Sequence, residues 1–240
     1  MKGFKIARIF GIDIELHVSW LIILLVLTLN LSTGYFPLKI PGEPAYYHWS
    51  LGFISAILLF ASLVFHELAH SLIAKRFGIP VGKITLFILG GVAWLVEEPK
   101  RAKEDFLMAA AGPLSSIALA GFFLLLSILI GDYSALITAV LWLLIFMNTA
   151  LAVFNLLPGF PLDGGRMFRA ILWRRFKDRQ RATIIASICG QFLGGALMGW
   201  GAMTVITGDF GGLWIILVGW FLLSTAGQAR KMAKQDQTKG

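Results

Sequence analysis

Charge is scarce in this sequence. Only 14% of its 240 residues are Asp, Glu, Lys or Arg, while 58% are hydrophobic. Soluble domains carry about a quarter charged residues and are about half apolar, so a soluble globular class is excluded. The mean hydropathy of +0.79 places the chain among membrane proteins. Cysteine is almost missing too: Cys189 stands alone, so no intrachain disulfide can form. A cleavable leader is not expected, because Asp13 and Glu15 interrupt "MKGFKIARIFGIDIELHVSW" and no cleavage-like end follows. Internal repeats and low-complexity segments are also lacking, which weakens a transporter reading, since transporters are commonly built from repeats.

What is present is a series of long apolar stretches. A membrane-crossing helix needs about 20 apolar residues. Six stretches qualify, at 17–36, 50–74, 106–130, 135–157, 183–207 and 211–229. The expected fold is an all-α polytopic membrane protein forming one core domain over residues 1–240. Lysine and arginine gather in alternate connections: Lys2, Lys5 and Arg8; Lys75, Arg76, Lys100, Arg101 and Lys103; the run from Arg166 to Arg181; and Arg230, Lys231, Lys234 and Lys239. The other connections hold Lys39 with Glu43, Asp132 and Asp209. By the positive-inside rule both termini are expected in the cytoplasm, with the chain in the cell membrane. This placement accounts for a net charge of +8 without nucleic acid, which is not expected as a partner.

Two regions read as β-structure. Residues 3–16 alternate loosely around Gly11 and predict a short hairpin at the cytoplasmic face. Residues 78–98 are broken by Gly and Pro and rich in Val, Ile, Thr, Phe and Trp. They predict two short strands around Gly90 and Gly91, completing a small membrane-associated sheet. The tail after Gly227 is polar and is expected to fray.

Two of the four histidines stand in "VFHELAH", residues 64–70, inside the second apolar stretch. In lipid that stretch must be helical. His66 and His70 are then at i and i+4 on one face, a spacing at which two imidazoles can bind one zinc ion. Glu67 is placed to act as general base on a water activated there. The histidines lie roughly 14 and 8 Å along the helix from Lys75, within the hydrocarbon rather than at a surface. An ionisable group at such depth costs about 2.5 kcal/mol or more, so three in five residues require a strong compensating interaction. A third ligand should be another buried acid or imidazole. His17 and His48 sit at helix starts and read as interfacial. Asp163 is the better candidate, in "NLLPGFPLDGGR", whose prolines and glycines force irregular backbone. At membrane depth such backbone is tolerated only when buried in protein or lining a wet cavity.

"HELAH" at 66–70, "LGG" at 89–91, "AGPLSS" at 111–116 and "NLLPGFPLDGGR" at 155–166, in that order, resemble the site-2 protease family of intramembrane zinc metalloproteases. The resemblance spans essentially the whole chain. It implies one zinc per chain held by His66, His70 and Asp163, with Glu67 activating water. It also implies that Asn155 binds the substrate backbone or the oxyanion. The substrate so implied is a transmembrane protein, cut within or near its membrane helix in regulated intramembrane proteolysis. The family often carries asparagine where this chain has Ser116.

Other polar and small residues have structural readings. Asn148 is expected to make an interhelical hydrogen bond. Gly190, Gly194, Gly195 and Gly199 have the small-xxx-small spacing of close helix packing. Residues 84–93, "ITLFILGGVA", read as a strand whose open edge, with open-side positions between Thr85 and Leu89, pairs with unwound substrate. Gly90 and Gly91 would then allow close backbone approach. The competing reading is a hairpin that only plugs the cytoplasmic mouth. A cation transporter is the rival function, but the candidate ligands come from the second and fourth stretches alone. An inactive membrane scaffold is disfavoured by the intact His-Glu-His-Asp set. A serine intramembrane protease is disfavoured because no histidine pairs plausibly with a membrane serine.

Overall fold

The computed structural model describes residues 3–87, 90–95, 97–131 and 134–237, with the backbone alone of residues 90 and 92–95. Among the described residues, six helices are long and apolar enough to cross a membrane: Ser19–Lys39, Ala45–Arg76, Ala102–Ile130, Ala135–Asn155, Arg179–Ile206 and Gly212–Gln237. They match the six expected stretches. The first is composite: α1 (Ser19–Asn30) passes through a π-helical turn (Leu31–Tyr35) into α2 (Phe36–Lys39). The second is α3 (Ala45–Arg76), followed by α4 (Ala102–Ile130) and α5 (Ala135–Asn155). The last pair is α7 (Arg179–Ile206) and α8 (Gly212–Gln237). α8 continues to Gln237 instead of fraying after Gly227. Its end is rich in Ala, Lys, Met and Gln, good helix formers all.

The chain divides into two compact units, one of residues 1–98 with 111–152, the other of 99–110 with 153–240. The first holds the β-structure: β1 (Phe4–Ile9), β2 (Ile12–Leu16), β3 (Val81–Phe87) and β4 (Gly90–Leu95), in the order β1-β2-β3-β4. β1 and β2 form the expected hairpin, turning on Phe10 and Gly11, both at positive φ. Positive φ at both positions is what a two-residue type I′ hairpin turn requires. β2 then pairs in parallel with β3, Asp13–Leu16 against Lys83–Leu86, and β3 pairs antiparallel with β4.

This order corrects the expected open edge. β3 is paired on both sides over Ile84–Leu86, so Thr85 faces no free edge. Ile88 and Leu89 lie outside the described residues. Gly90 and Gly91 open β4, with Phe87 opposite Gly90, rather than forming the break between strands. The end strands of the described sheet are β1 and β4. Ile12, Ile84 and Leu86 of the sheet form a buried cluster with Leu68 of α3, which seats the sheet beside Glu67.

In the second unit α7 and α8 pack closely. A Cβ at Gly194 would lie 2.7 Å from the Gly219 carbonyl oxygen, and one at Gly201 2.6 Å from that of Gly212. Gly194 therefore fills the expected packing role. Gly190 instead meets the Phe160 backbone, a Cβ at Gly195 would only touch Leu223 at 3.9 Å, and one at Gly199 would meet nothing within 4 Å among the described residues. Between the expected spans lies α6 (Asp163–Phe176), a helix the sequence reading treated as irregular backbone and basic connection.

Candidate metal centre

His66 and His70 project from one face of α3, as the i,i+4 spacing requires, and are 2% and 7% exposed. Their ring centroids are 4.9 Å apart at an interplanar angle of 76°. Opposite them stands Gly112 of α4. A side chain there would fall on Nε2 of both rings. The two imidazoles therefore converge on space that exists only because residue 112 is glycine. The next residue, Pro113, interrupts α4's hydrogen bonding, and the Ser115 hydroxyl donates to the Gly112 carbonyl at 2.7 Å. Fully buried Ser116 shares a 2.9 Å hydrogen bond with His66 Nδ1. This contact fixes the ring and leaves Nε2 for a ligand, as outer partners of metal-binding histidines do. Ser116 thus has a polar role where the family often carries asparagine.

Glu67 follows His66 on α3, with Gly91 of β4 beside it. A Cβ at Gly91 would lie 2.7 Å from Glu67 Cγ and 3.2 Å from its carboxyl carbon. Gly91 therefore makes room for the Glu67 side chain. Asn148 donates to the Ser62 hydroxyl at 3.2 Å and to the Leu144 carbonyl at 2.9 Å, bridging α5 to α3 as expected. His17 lies just before α1, hydrogen-bonded to Ser19 at its start. His48 lies in the first turn of α3, its Nε2 3.3 Å from the Ile40 carbonyl. Neither belongs to the His66–His70 pair.

In the second unit Asn155 is the last residue of α5 and is half-buried. Asp163 is the first residue of α6 and is buried. A helix N-terminus favours a carboxylate there. The motif's glycines are explained by the chain folding back on itself. A Cβ at Gly164 would strike the Leu156 carbonyl, and one at Gly165 the Gly159–Phe160 backbone. The Phe160 N–H donates to the Ala186 carbonyl at 3.1 Å, tying this loop to α7.

A buried ion cluster braces the start of α6. Asp105, fully buried at the beginning of α4, accepts two hydrogen bonds from Arg169, both 2.9 Å, and one from Arg166 at 3.3 Å. The Arg169 guanidinium also lies 5.2 Å from the Phe160 ring centroid. Burial pushes the Arg169 pKa down from its ordinary value, and the Asp105 carboxylate works against that shift. Sequence reasoning missed Asp105, which fell one residue outside the expected third span. It also counted Arg166 and Arg169 only as topology charges. The signal available was an acid at the very start of an apolar helix.

The expected ligands divide between the units, His66 and His70 in the first and Asp163 in the second, and all three are buried. Two imidazoles and a carboxylate form a catalytic zinc donor set, three protein ligands with one position open. The gap at Gly112 leaves room at the imidazole nitrogens. The residues present fit zinc.

The sequence matches Peptidase family M50 over residues 54–135 and 132–196. The chain belongs to this family, the site-2 proteases. It is 41% identical over 224 residues to a Mycobacterium tuberculosis protein named zinc metalloprotease Rip3, covering 92% of this chain and 57% of that protein. A Synechocystis protein named as a zinc metalloprotease is 40% identical over 239 residues, 97% of this chain and 61% of its own length. The chain therefore spans less than two thirds of these relatives. Its fold is similar to the site-2 protease from Methanocaldococcus jannaschii, with a TM-score of 0.65, 31% identity and 95% of each chain covered.

Proposed function

We propose that this chain is an intramembrane zinc metalloprotease that hydrolyses a peptide bond within or near a transmembrane helix of a membrane-protein substrate, in regulated intramembrane proteolysis. The observation that carries the proposal is the buried imidazole pair inside an apolar helix, both Nε2 atoms facing the gap at Gly112, with Glu67 next in sequence. Ionisable side chains at that depth are costly and mark functional sites. Membership of the site-2 protease family supports the same reading.

His66, His70 and Asp163 hold one zinc ion per chain. Zinc, when bound, supplies a Lewis acid that makes water nucleophilic near neutral pH and polarises the scissile carbonyl. Ser116 keeps the His66 ring oriented. Glu67 takes the proton from the attacking water and later delivers it to the leaving amine. A substrate helix has its carbonyls hydrogen-bonded internally, so it must unwind before attack. β4 accepts the unwound strand by main-chain pairing, and Gly90 and Gly91 bring that backbone up to Glu67. Asn155 holds the freed substrate backbone or the oxyanion. Residues 1–240 act as one core domain with both termini in the cytoplasm of a cell-membrane enzyme, a topology supported by the loop charges.

Glu67→Gln separates metal binding from catalysis. The purified variant should keep wild-type zinc content and lose cleavage of single-span test proteins by about 10²–10⁴-fold, the range for a positioned general base. Unchanged cleavage would sink the enzyme reading.

A further inference from the structure

A groove of about 600 Å³ runs along the first unit between α2 and α5. Tyr35 and Lys39, one helical turn apart, form one wall, and Thr138, Trp142 and Phe146 the other. The α5 wall runs from Ala135 to Phe146, a rise of roughly 17 Å. That is about half of the roughly 30 Å hydrocarbon core, the depth of one leaflet. An apolar, aromatic-lined furrow one leaflet deep suits an extended acyl chain.

The mouth has its own chemistry. Lys39 is the last residue of α2, exposed, at the end of the first span. It is the lone lysine or arginine of the connections that otherwise hold Glu43, Asp132 and Asp209. Topology does not account for it, since the same rule that places the other basic residues strips them from this side. Below it the walls stay open: Trp142 is 53% exposed and Phe146 65%. The Tyr35 ring is fixed in the wall by its hydroxyl, which donates to the Ala139 carbonyl at 3.0 Å. The π-helical turn Leu31–Tyr35 leads directly into this wall, and such turns recur at functional sites.

We propose that the groove binds one anionic phospholipid, its phosphate on the Lys39 ammonium and one acyl chain along Thr138, Trp142 and Phe146. A cation at the interface above an aromatic-lined apolar channel complements a charged headgroup above hydrocarbon. The site is separate from the metal centre, and its test does not depend on proteolysis.

Native mass spectrometry of the delipidated full chain, titrated with dioleoylphosphatidylglycerol or dioleoylphosphatidylcholine, tests this. One phosphatidylglycerol per chain should be retained at concentrations where phosphatidylcholine is not. Lys39→Glu should weaken its binding about tenfold, Lys39→Arg should preserve it, and Trp142→Ala should weaken it. Lys231→Glu, in the tail of α8, should leave it unchanged. Glycerol phosphate should not compete, because it lacks the chain that fills the groove. Equal retention of phosphatidylglycerol by Lys39→Glu and wild type would overturn the proposal. So would equal binding of the two lipids, equal weakening by Lys231→Glu, or displacement by glycerol phosphate.

Discussion

α3 and the segment from Asn155 to Phe176 reach a buried functional side chain by opposite routes. α3 is 32 residues of unbroken helix, and its periodicity alone puts His66 and His70 on one face. Asp163 is placed by contacts distant in sequence. Gly164 and Gly165 let the chain touch its own backbone, the Phe160 amide is tied to α7, and a buried carboxylate pairs with two arginines. The first arrangement tolerates change in most residues of its own helix but depends on what the neighbouring helix leaves empty. The second depends on each contact that holds the turn.

The largest effect should come from filling the space beside the histidines. Gly112→Leu touches neither imidazole by substitution, yet its side chain would occupy the gap that both Nε2 atoms face. Zinc content of the purified variant should fall below about a tenth of wild type, with helical circular dichroism unchanged. Full zinc occupancy would show that the gap is not the metal's place.

The next effect should be on stability, and confined to the second arrangement. Asp105→Asn leaves Arg169 buried without its countercharge. Breaking a buried pair by removing one partner costs about 3–5 kcal/mol. Denaturant unfolding in detergent should show a loss of that order. A loss under about 1 kcal/mol would put this pair in the class of surface bridges.

Ser116→Ala sharpens the comparison at the smallest scale. It removes the hydroxyl at 2.9 Å from His66 Nδ1 and leaves both imidazoles on α3. Zinc affinity, measured by competition with a chromophoric chelator, should fall about 10–100-fold. An unchanged affinity would mean that α3 alone orients His66.

The same contrast explains what could be read from the sequence. The His66–His70 pair was legible because one helical period fixes which residues share a face. The hairpin was legible because Gly11 marks a turn that demands positive φ. The parallel pairing of β2 with β3 was not, because the two strands are far apart in sequence and neither carries a local mark of its partner. The start of α6 was hidden by Gly164 and Gly165, which read locally as helix breakers but are needed for close backbone approach. Ser116 was hidden because a small polar residue in an apolar span looks like helix packing until the atom it touches is known.

The proposed zinc site requires the imidazoles of α3 and the Asp163 carboxylate at the start of α6 to act together. Zinc K-edge X-ray absorption on the wild-type chain and on Asp163→Ala tests it most directly. The wild type should contain one zinc per chain with two imidazoles and a carboxylate oxygen in the first coordination shell. Asp163→Ala should lose the metal, or retain it weakly without that oxygen. An identical first shell and equal occupancy in the variant would exclude Asp163 as a ligand.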